Sequence, residues 1–359
     1  MSRVTVVGMG HGGTTVGADL SLKGHEVTLL KTSDSMHGEH HDYLLRFGEV
    51  AIVENESRRL AKIHRVTSDF AEGLNEAEVV IIFVQTNYHE QLLKRIAPHL
   101  SGTELVVFEP GYLSTAYVLK YGMPDSLTVA EATSSPIDCR ITAPGEVHVS
   151  FRNVANHVGV YPHERRKWAS ELLDQLGYSW IHLASPIEAA LHNPNLIVHT
   201  VGAIMSFPRI EYTSGNYWMY REVFTPTVWN LVEALDAEKN AVLAQLGFAP
   251  LAYVEACKQR NSRDLTRDAK SVFFDYAQNS SVSGPSDVRS RYVTEDVPEG
   301  LVLLESLGQL LELKTPVCSA LIDLSSAALG LAFRGEGRNI DRLGRANLER
   351  LVRDASVSV

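Results

Sequence analysis

Short apolar runs rich in β-branched residues alternate with longer amphipathic stretches through the first half of the chain. "RVTVV", "HEVTLL", "AEVVIIFVQT", "TELVVFEPG" and "SLTVAEAT" read as strands, and segments such as "HEQLLKRIAPHL" between them read as helices. That alternation predicts a doubly wound α/β unit with a mostly parallel sheet. From about residue 186 the strand signals fade. "PIEAALHNPNLIVHTVGAIMSF", "TPTVWNLVEALDAEKNAVLAQLG", "LVLLESLGQLLEL" and "PVCSALIDLSSAALGLAF" predict an all-α second domain. The expected division is therefore residues 1–185 and 186–359. Between the helical segments, "RNSRDLTRDAKSVFFDYAQNSSVSGPSDVRSRYVTEDVPEG" is rich in Ser, Gly and charge and reads as a long irregular connection, a place where function concentrates.

The first two strands flank "GMGHGG". Gly8, Gly10 and Gly13 fill the three positions of a GxGxxG turn: one for the tight turn, one for close approach of a pyrophosphate, one for contact between helix and strand. Met9, His11 and Gly12 complete the loop, and the amides of the following helix would face phosphates. A Rossmann-type dinucleotide site is expected, with Val84, Gln85 and Thr86 at the end of a later strand also facing the cofactor. The acid that usually holds the adenosine 2′-hydroxyl should stand near residue 31, yet Lys31, Thr32 and Ser33 are found there. A cation and two hydroxyls suit a 2′-phosphate, so NADP(H) is expected ahead of NAD(H). A solvated strand-end lysine, indifferent to the choice, is the alternative.

Composition narrows the function. A formal net charge of -10 argues against nucleic acid or anionic membrane as partner and favours small molecules. Cys139, Cys257 and Cys318 show no metal spacing and read as packing residues in a reduced, cytoplasmic compartment. No apolar run reaches membrane-spanning length and the N-terminus lacks a signal-peptide pattern. His37, His40 and His41 in "MHGEHHDY" read as a solvated loop, and no metal site is expected.

In "HNPNLIVHTVG", His192 and His199 stand seven residues apart, which on one continuous helix would put them on a shared face about 10 Å apart along the axis. One metal ion would not bridge them. From the residues alone, His199 on a mostly apolar helical face reads first as a satisfied core histidine.

"GMGHGG", "EATSSPIDCR", "NPNLIVH", "RYVTEDVPEGLVLLESLG" and "FRGEGR", taken in that order along nearly the whole chain, together resemble the opine dehydrogenases, the octopine, nopaline and carboxyethyl-norvaline dehydrogenase family. The resemblance implies a Rossmann domain joined to an all-helical domain. It also implies reductive condensation of an amino acid or amine with a 2-oxo acid, using NADH or NADPH in a cleft between domains, and a homodimer.

By the same resemblance the catalytic histidine falls on His199, its aspartate partner on Asp296 and the carboxylate-binding arginine on Arg291. The residue types suit that chemistry: a planar guanidinium grips a carboxylate with two hydrogen bonds, and an imidazole moves protons near neutral pH. Asn195, Thr133, Ser134 and Glu131 are expected near substrate, although Asn195 serves equally as a structural hydrogen-bonding residue. Arg334 and Arg338 are expected to be solvated or ion-paired. Relatives often carry Pro after the histidine where this chain has Thr200, so the pocket is expected to differ there. Two alternatives remain: a 2-oxo acid reductase in the manner of ketopantoate reductases, and a cofactor-sensing protein without turnover.

Overall fold

A computed structural model describes residues 1–33, 36–279 and 283–356. The chain divides into two compact units, Met1–Ala189 and Ala190–Val359.

The first unit opens with β1 (Arg3–Val7), α1 (His11–Leu22) and β2 (Glu26–Leu30), the βαβ element expected around the glycines. It continues through α2 (Gly38–Phe47), β3 (Glu49–Glu54), β4 (Ser57–Lys62), β5 (Arg65–Thr67), α3 (Phe70–Leu74), β6 (Val79–Ile82), α4 (His89–Ile96) and β7 (Leu105–Phe108). There follow α5 (Thr115–Lys120), β8 (Thr128–Ala132), β9 (Ile137–Ala143), β10 (Glu146–Arg152), β11 (Asn156–Tyr161), α6 (Arg166–Gln175) and β12 (Trp180–Leu183). Eight strands form one sheet in the order β12-β11-β8-β7-β6-β1-β2-β5. All neighbours run parallel except β8 and β11. The central strands are buried on both faces, which is why they read as continuous apolar runs rather than alternating ones.

A second sheet, β4-β3-β10-β9, went unread in the sequence. β4, "SRRLAK", is exposed at all but one position, is half charged, and carries almost no apolar signal. The inward residues Val50, Ile52, Ala61, Cys139, Val147 and Val149 join Val4, Val16, Leu20 and Leu29 in one core, so α1 is enclosed by both sheets. This explains why Gly13 through Leu20 are all buried on a helix with little amphipathic pattern.

α2 corrects the reading of "MHGEHHDY" as a solvated loop. The helix begins at Gly38, and His40 is 4% exposed, its Nε2 3.2 Å from Thr14 Oγ1 and its Nδ1 accepting the Gly145 N–H at 3.0 Å. Burial pushes His40 down to about 4, so it is a neutral core residue at physiological pH.

The second unit is helical. The helix Asn195–Ile204 is buried from Leu196 onward and packs against Pro226–Gln245, Pro316–Leu329, Arg291–Thr294 and a π-helical turn at Val297–Leu301. His192 does not share that helix. The preceding helix ends at Leu191, because Pro194 disfavours helical geometry at Asn193 and cannot donate a backbone hydrogen bond. The segment expected to be irregular between residues 260 and 300 also contains a helix, Ala269–Asn279. Phe273 of that helix packs into an aromatic cluster with Phe224 and Trp229; the flanking charge had masked its apolar face. Among the described residues no single helix is long and apolar enough to cross a membrane.

Candidate functional site

In the first unit the expected cofactor residues stand at the carboxyl ends of adjacent parallel strands. Gly8 follows β1 with φ +105°, a conformation open to glycine, and a Cβ there would lie 2.6 Å from the Phe83 carbonyl oxygen. A Cβ on Gly13 would stand 1.9 Å from the Gly8 carbonyl oxygen, so α1 can approach the turn only because that position is bare. Gly10 differs: a Cβ there would meet only His37 Nε2, at 3.9 Å. Gly10 is the N-cap of α1, makes no side-chain capping bond, and no acid occupies the first turn. One strained turn, one close contact and one open cradle at an uncapped helix start fit a pyrophosphate.

Lys31 directly follows β2. It is buried, not solvated, and its Nζ donates to the Met36 carbonyl at 2.8 Å, tying the adjoining loop to the strand end. The Thr32 carbonyl accepts from Arg95 at 3.0 Å, and Ser33 follows it. Val84, Gln85 and Thr86 leave β6. Here His89, which the sequence reading overlooked, spans from the Val84 carbonyl at 2.8 Å to Ser114 Oγ at 2.6 Å and ties this loop to the one after β7.

Thr133 and Ser134 follow β8, but their hydroxyls donate to Asn156 Oδ1 at 3.0 and 3.2 Å. Glu131 is wholly buried and accepts from the Leu113 and Thr115 amides, both at 2.7 Å, and from the Thr115 hydroxyl. It shapes the start of α5. The three cysteines are free and buried, and burial pushes the Cys139 thiol up to about 11.

Glu109, also unflagged by the sequence, stands just beyond β7. It is 3% exposed, its Oε2 has no hydrogen-bond partner among the described residues, and burial pushes its carboxyl up to about 8. A folded-state value above the unfolded one contributes stability at low pH that is lost as pH rises from the ordinary carboxylate range through about 8. The thermal midpoint should therefore fall between pH 5 and 8, with a linked change on the order of 4 kcal/mol. Glu109→Gln should flatten that slope in calorimetry, and a variant with the parental slope would assign the pH dependence elsewhere.

In the second unit, His199 and Asp296, 97 positions apart, are brought together: Nδ1 lies 2.8 Å from Asp296 Oδ2, and both side chains are largely buried. With the carboxylate ionised, Nδ1–H donates to it, which fixes the tautomer and leaves Nε2 as the nitrogen that can exchange a proton. Asn195 begins the same helix one turn before His199 and shares its face. Its amide is held by Asn193 Oδ1 at 3.0 Å, so the first Asn of "NPN" has a structural task.

Arg291 is half-exposed, and its Nε lies 3.2 Å from the buried Glu295 Oε2, which restrains the guanidinium one turn away from Asp296. The ring of Tyr292 lies flat on His199, with centroids 3.7 Å apart and planes 6° apart. No sequence signal marked that tyrosine. Arg338 is fully buried and paired with Glu299; Arg334 pairs with Glu305 at 2.7 Å and with Asp323. Both arginines belong to the scaffold of the helical unit. Among the described residues no group of three or more His, Cys, Asp or Glu side chains is gathered to hold a metal.

Two family models match the chain. Residues 182–329 match the α-helical domain of NAD/NADP octopine/nopaline dehydrogenases, and residues 4–162 match ketopantoate reductase PanE/ApbA. An opine dehydrogenase of Arthrobacter sp. (strain 1C) is 27% identical over 350 residues, covering 96% of this chain and 95% of its own. Octopine dehydrogenase solved with NADH and L-arginine superposes with a TM-score of 0.76 at 16% identity, covering 98% of both chains. The same enzyme solved with NADH and pyruvate gives 0.72 at 18% identity, covering 96% of both.

Proposed function

Because this chain belongs to the opine dehydrogenase family, we propose that it condenses the amino group of an amino acid or amine with a 2-oxo acid and reduces the product to an N-(carboxyalkyl) amino acid. The observation that carries the reading is the buried His199–Asp296 pair at 2.8 Å, with Arg291 on the same short segment as Asp296.

The glycine turn, Lys31, Thr32, Ser33 and the Val84–Thr86 loop would hold NAD(P)H, which when bound supplies the hydride. Arg291 binds the oxo acid's carboxylate, orienting its carbonyl carbon toward an unprotonated amine. Nitrogen attack forms the C–N bond and a carbinolamine. His199 Nε2 delivers a proton to the departing hydroxyl, and water leaves as the nitrogen lone pair forms the C=N bond of a protonated imine, which keeps the nitrogen's own proton. Asp296 stabilises the imidazolium before that transfer and holds the ring in register throughout. The hydride that NAD(P)H would supply, added to the carbon of that protonated imine, would complete the secondary amine with no further proton needed. Asn195, Thr133 and Ser134 complete the proposed substrate contacts, the latter two through their anchorage on Asn156.

Cofactor absorbance with a 2-oxo acid, with and without an amine, tests this reading. Oxidation that requires both supports condensation. Amine-independent turnover would instead favour the 2-oxo acid reductase suggested by the match of residues 4–162.

The setting of Lys31 leads to a preference for NADPH over NADH in kcat/KM. Lys31→Met should raise KM for NADPH roughly tenfold, the worth of one charge-assisted contact, and leave KM for NADH nearly unchanged. Equal losses for both would remove Lys31 from 2′-phosphate recognition. A cytoplasmic homodimer completes the proposal, supported by the three free cysteines and the family resemblance.

A further inference from the structure

We propose that Tyr292 is a positioning residue for His199, pressing its π face on the imidazole so that, with Asp296 at the ring edge, the ring is held in one plane. The inference rests on the proposed role of His199.

The geometry is specific. Two neutral aromatic rings prefer an offset or edge-on arrangement with centroids 4.5–7 Å apart. These rings lie nearly parallel at 3.7 Å. A cation over the electron-rich face of a phenol is attracted to it, so the arrangement suits an imidazolium better than a neutral ring. The local chain explains how both contacts arise at once. The helical turn beginning at Arg291 continues with helical backbone through Glu295 and Asp296. Tyr292 and Asp296, four residues apart, therefore project from one face, one reaching the flat of the imidazole and the other its Nδ1 edge. Arg291 and Glu295 form the adjoining pair with the same spacing.

The surroundings leave few rival charges. On the elements packed against the His199 helix, Glu299 is paired with Arg338, Asp236 with Lys239, Asp323 with Arg334, Glu222 with Arg209 and Glu233 with Lys270. Glu238 accepts the Val317 and Cys318 amides, and Arg221 donates to the Ala277 carbonyl. The phenols of Tyr217 and Tyr220 are held above their ordinary value, mainly by burial, and stay neutral. Asp296 is thus the carboxylate at the ring and Tyr292 the surface on its face.

The test compares Tyr292→Phe and Tyr292→Leu in the full chain. Phe keeps the π face and should retain kcat within about threefold. Leu should lower kcat about tenfold with little change in cofactor KM, and should move the basic limb of the kcat profile to lower pH by about one unit. The His199 ring-proton resonance, followed by NMR titration of the protein without substrate, should shift its midpoint the same way in Leu and stay in place in Phe. A Leu variant that folds and titrates like the parent overturns the proposal. Should Leu not fold, Tyr292→Met, a flexible side chain without a π face, takes its place. Because the titration needs no turnover, it still reports on Tyr292 if amine-dependent oxidation is absent, which keeps a failure here distinct from a failure of the proposed reaction.

Discussion

His199→Ala is expected to lower kcat/KM for the condensation by at least about 100-fold while the dissociation constant for NADPH changes less than about twofold. The separation follows from where the residues lie in the chain. His199 and its aspartate belong to the helical unit, whereas the glycine turn, Lys31 and the Val84–Thr86 loop belong to the other. Removing the imidazole therefore deletes a proton donor without touching the groups proposed to bind the nucleotide. Asp296→Asn discriminates further. An asparagine can present an amide nitrogen to Nδ1 and favour the other tautomer, or present its oxygen and keep the orientation without the charge. Either loses stabilisation of the imidazolium, and a drop of at least roughly 10-fold in kcat is expected, since removing the carboxylate behind a working imidazole costs about 10- to 100-fold at metal sites and about 10⁴-fold in a catalytic triad. Stopped-flow cofactor oxidation and fluorescence titration check both parts. A His199→Ala enzyme with the parental rate would remove this histidine from the mechanism.

Gly13→Ala is expected to abolish measurable cofactor binding and to destabilise the first unit as well. Its methyl, fixed in place by the backbone, would stand 1.9 Å from the Gly8 carbonyl oxygen, a backbone atom, so no side-chain movement can relieve the clash. Either α1 moves off β1 or the turn opens, and the helix has no room to retreat because its residues from Gly13 to Leu20 are buried. Gly10→Ala is the instructive companion. Its methyl would meet only His37 Nε2 at 3.9 Å, so the folded protein should tolerate it and melt within a degree or two of the parent. It should nonetheless bind NADPH at least about tenfold more weakly, since the methyl would enter the space proposed for the pyrophosphate. Calorimetry alongside cofactor titration separates the two. Undiminished affinity in Gly10→Ala would place the phosphates elsewhere.

The sequence revealed those parts of the fold whose burial is one-sided or complete. Strands β1, β2, β6, β7 and β8 are apolar runs bounded by turns, and the glycines between β1 and β2 have few uses other than a tight turn under a helix. The second sheet stayed hidden because β4 spends five of its six residues on solvent, and because β3 and β10 pair across about a hundred residues of intervening chain. His40 misled for a related reason: one buried histidine among exposed neighbours looks polar until Thr14 and Gly145 supply its partners.

The catalytic candidates were legible only through family resemblance. No local pattern ties His199 to Asp296, and spacing along one helix suggested a companion, His192, from which Pro194 separates it. Arg291 and Asp296 were recognisable as residue types suited to the reaction. Tyr292, lying between them in a charged segment, could not be distinguished from a surface tyrosine until its ring was seen on the imidazole.

The pairing of β3 with β10 has a consequence for how the first unit comes into being. The wall that covers the outer side of α1 is assembled from strands at 49–62 and 137–152, and its middle ladder joins the earlier pair to the later one. During synthesis the glycine-rich turn thus emerges long before the chain that will shelter its helix. An excised βαβ fragment would carry the recognisable motif yet leave Val16 and Leu20 against water, so the smallest autonomous piece must extend past residue 152.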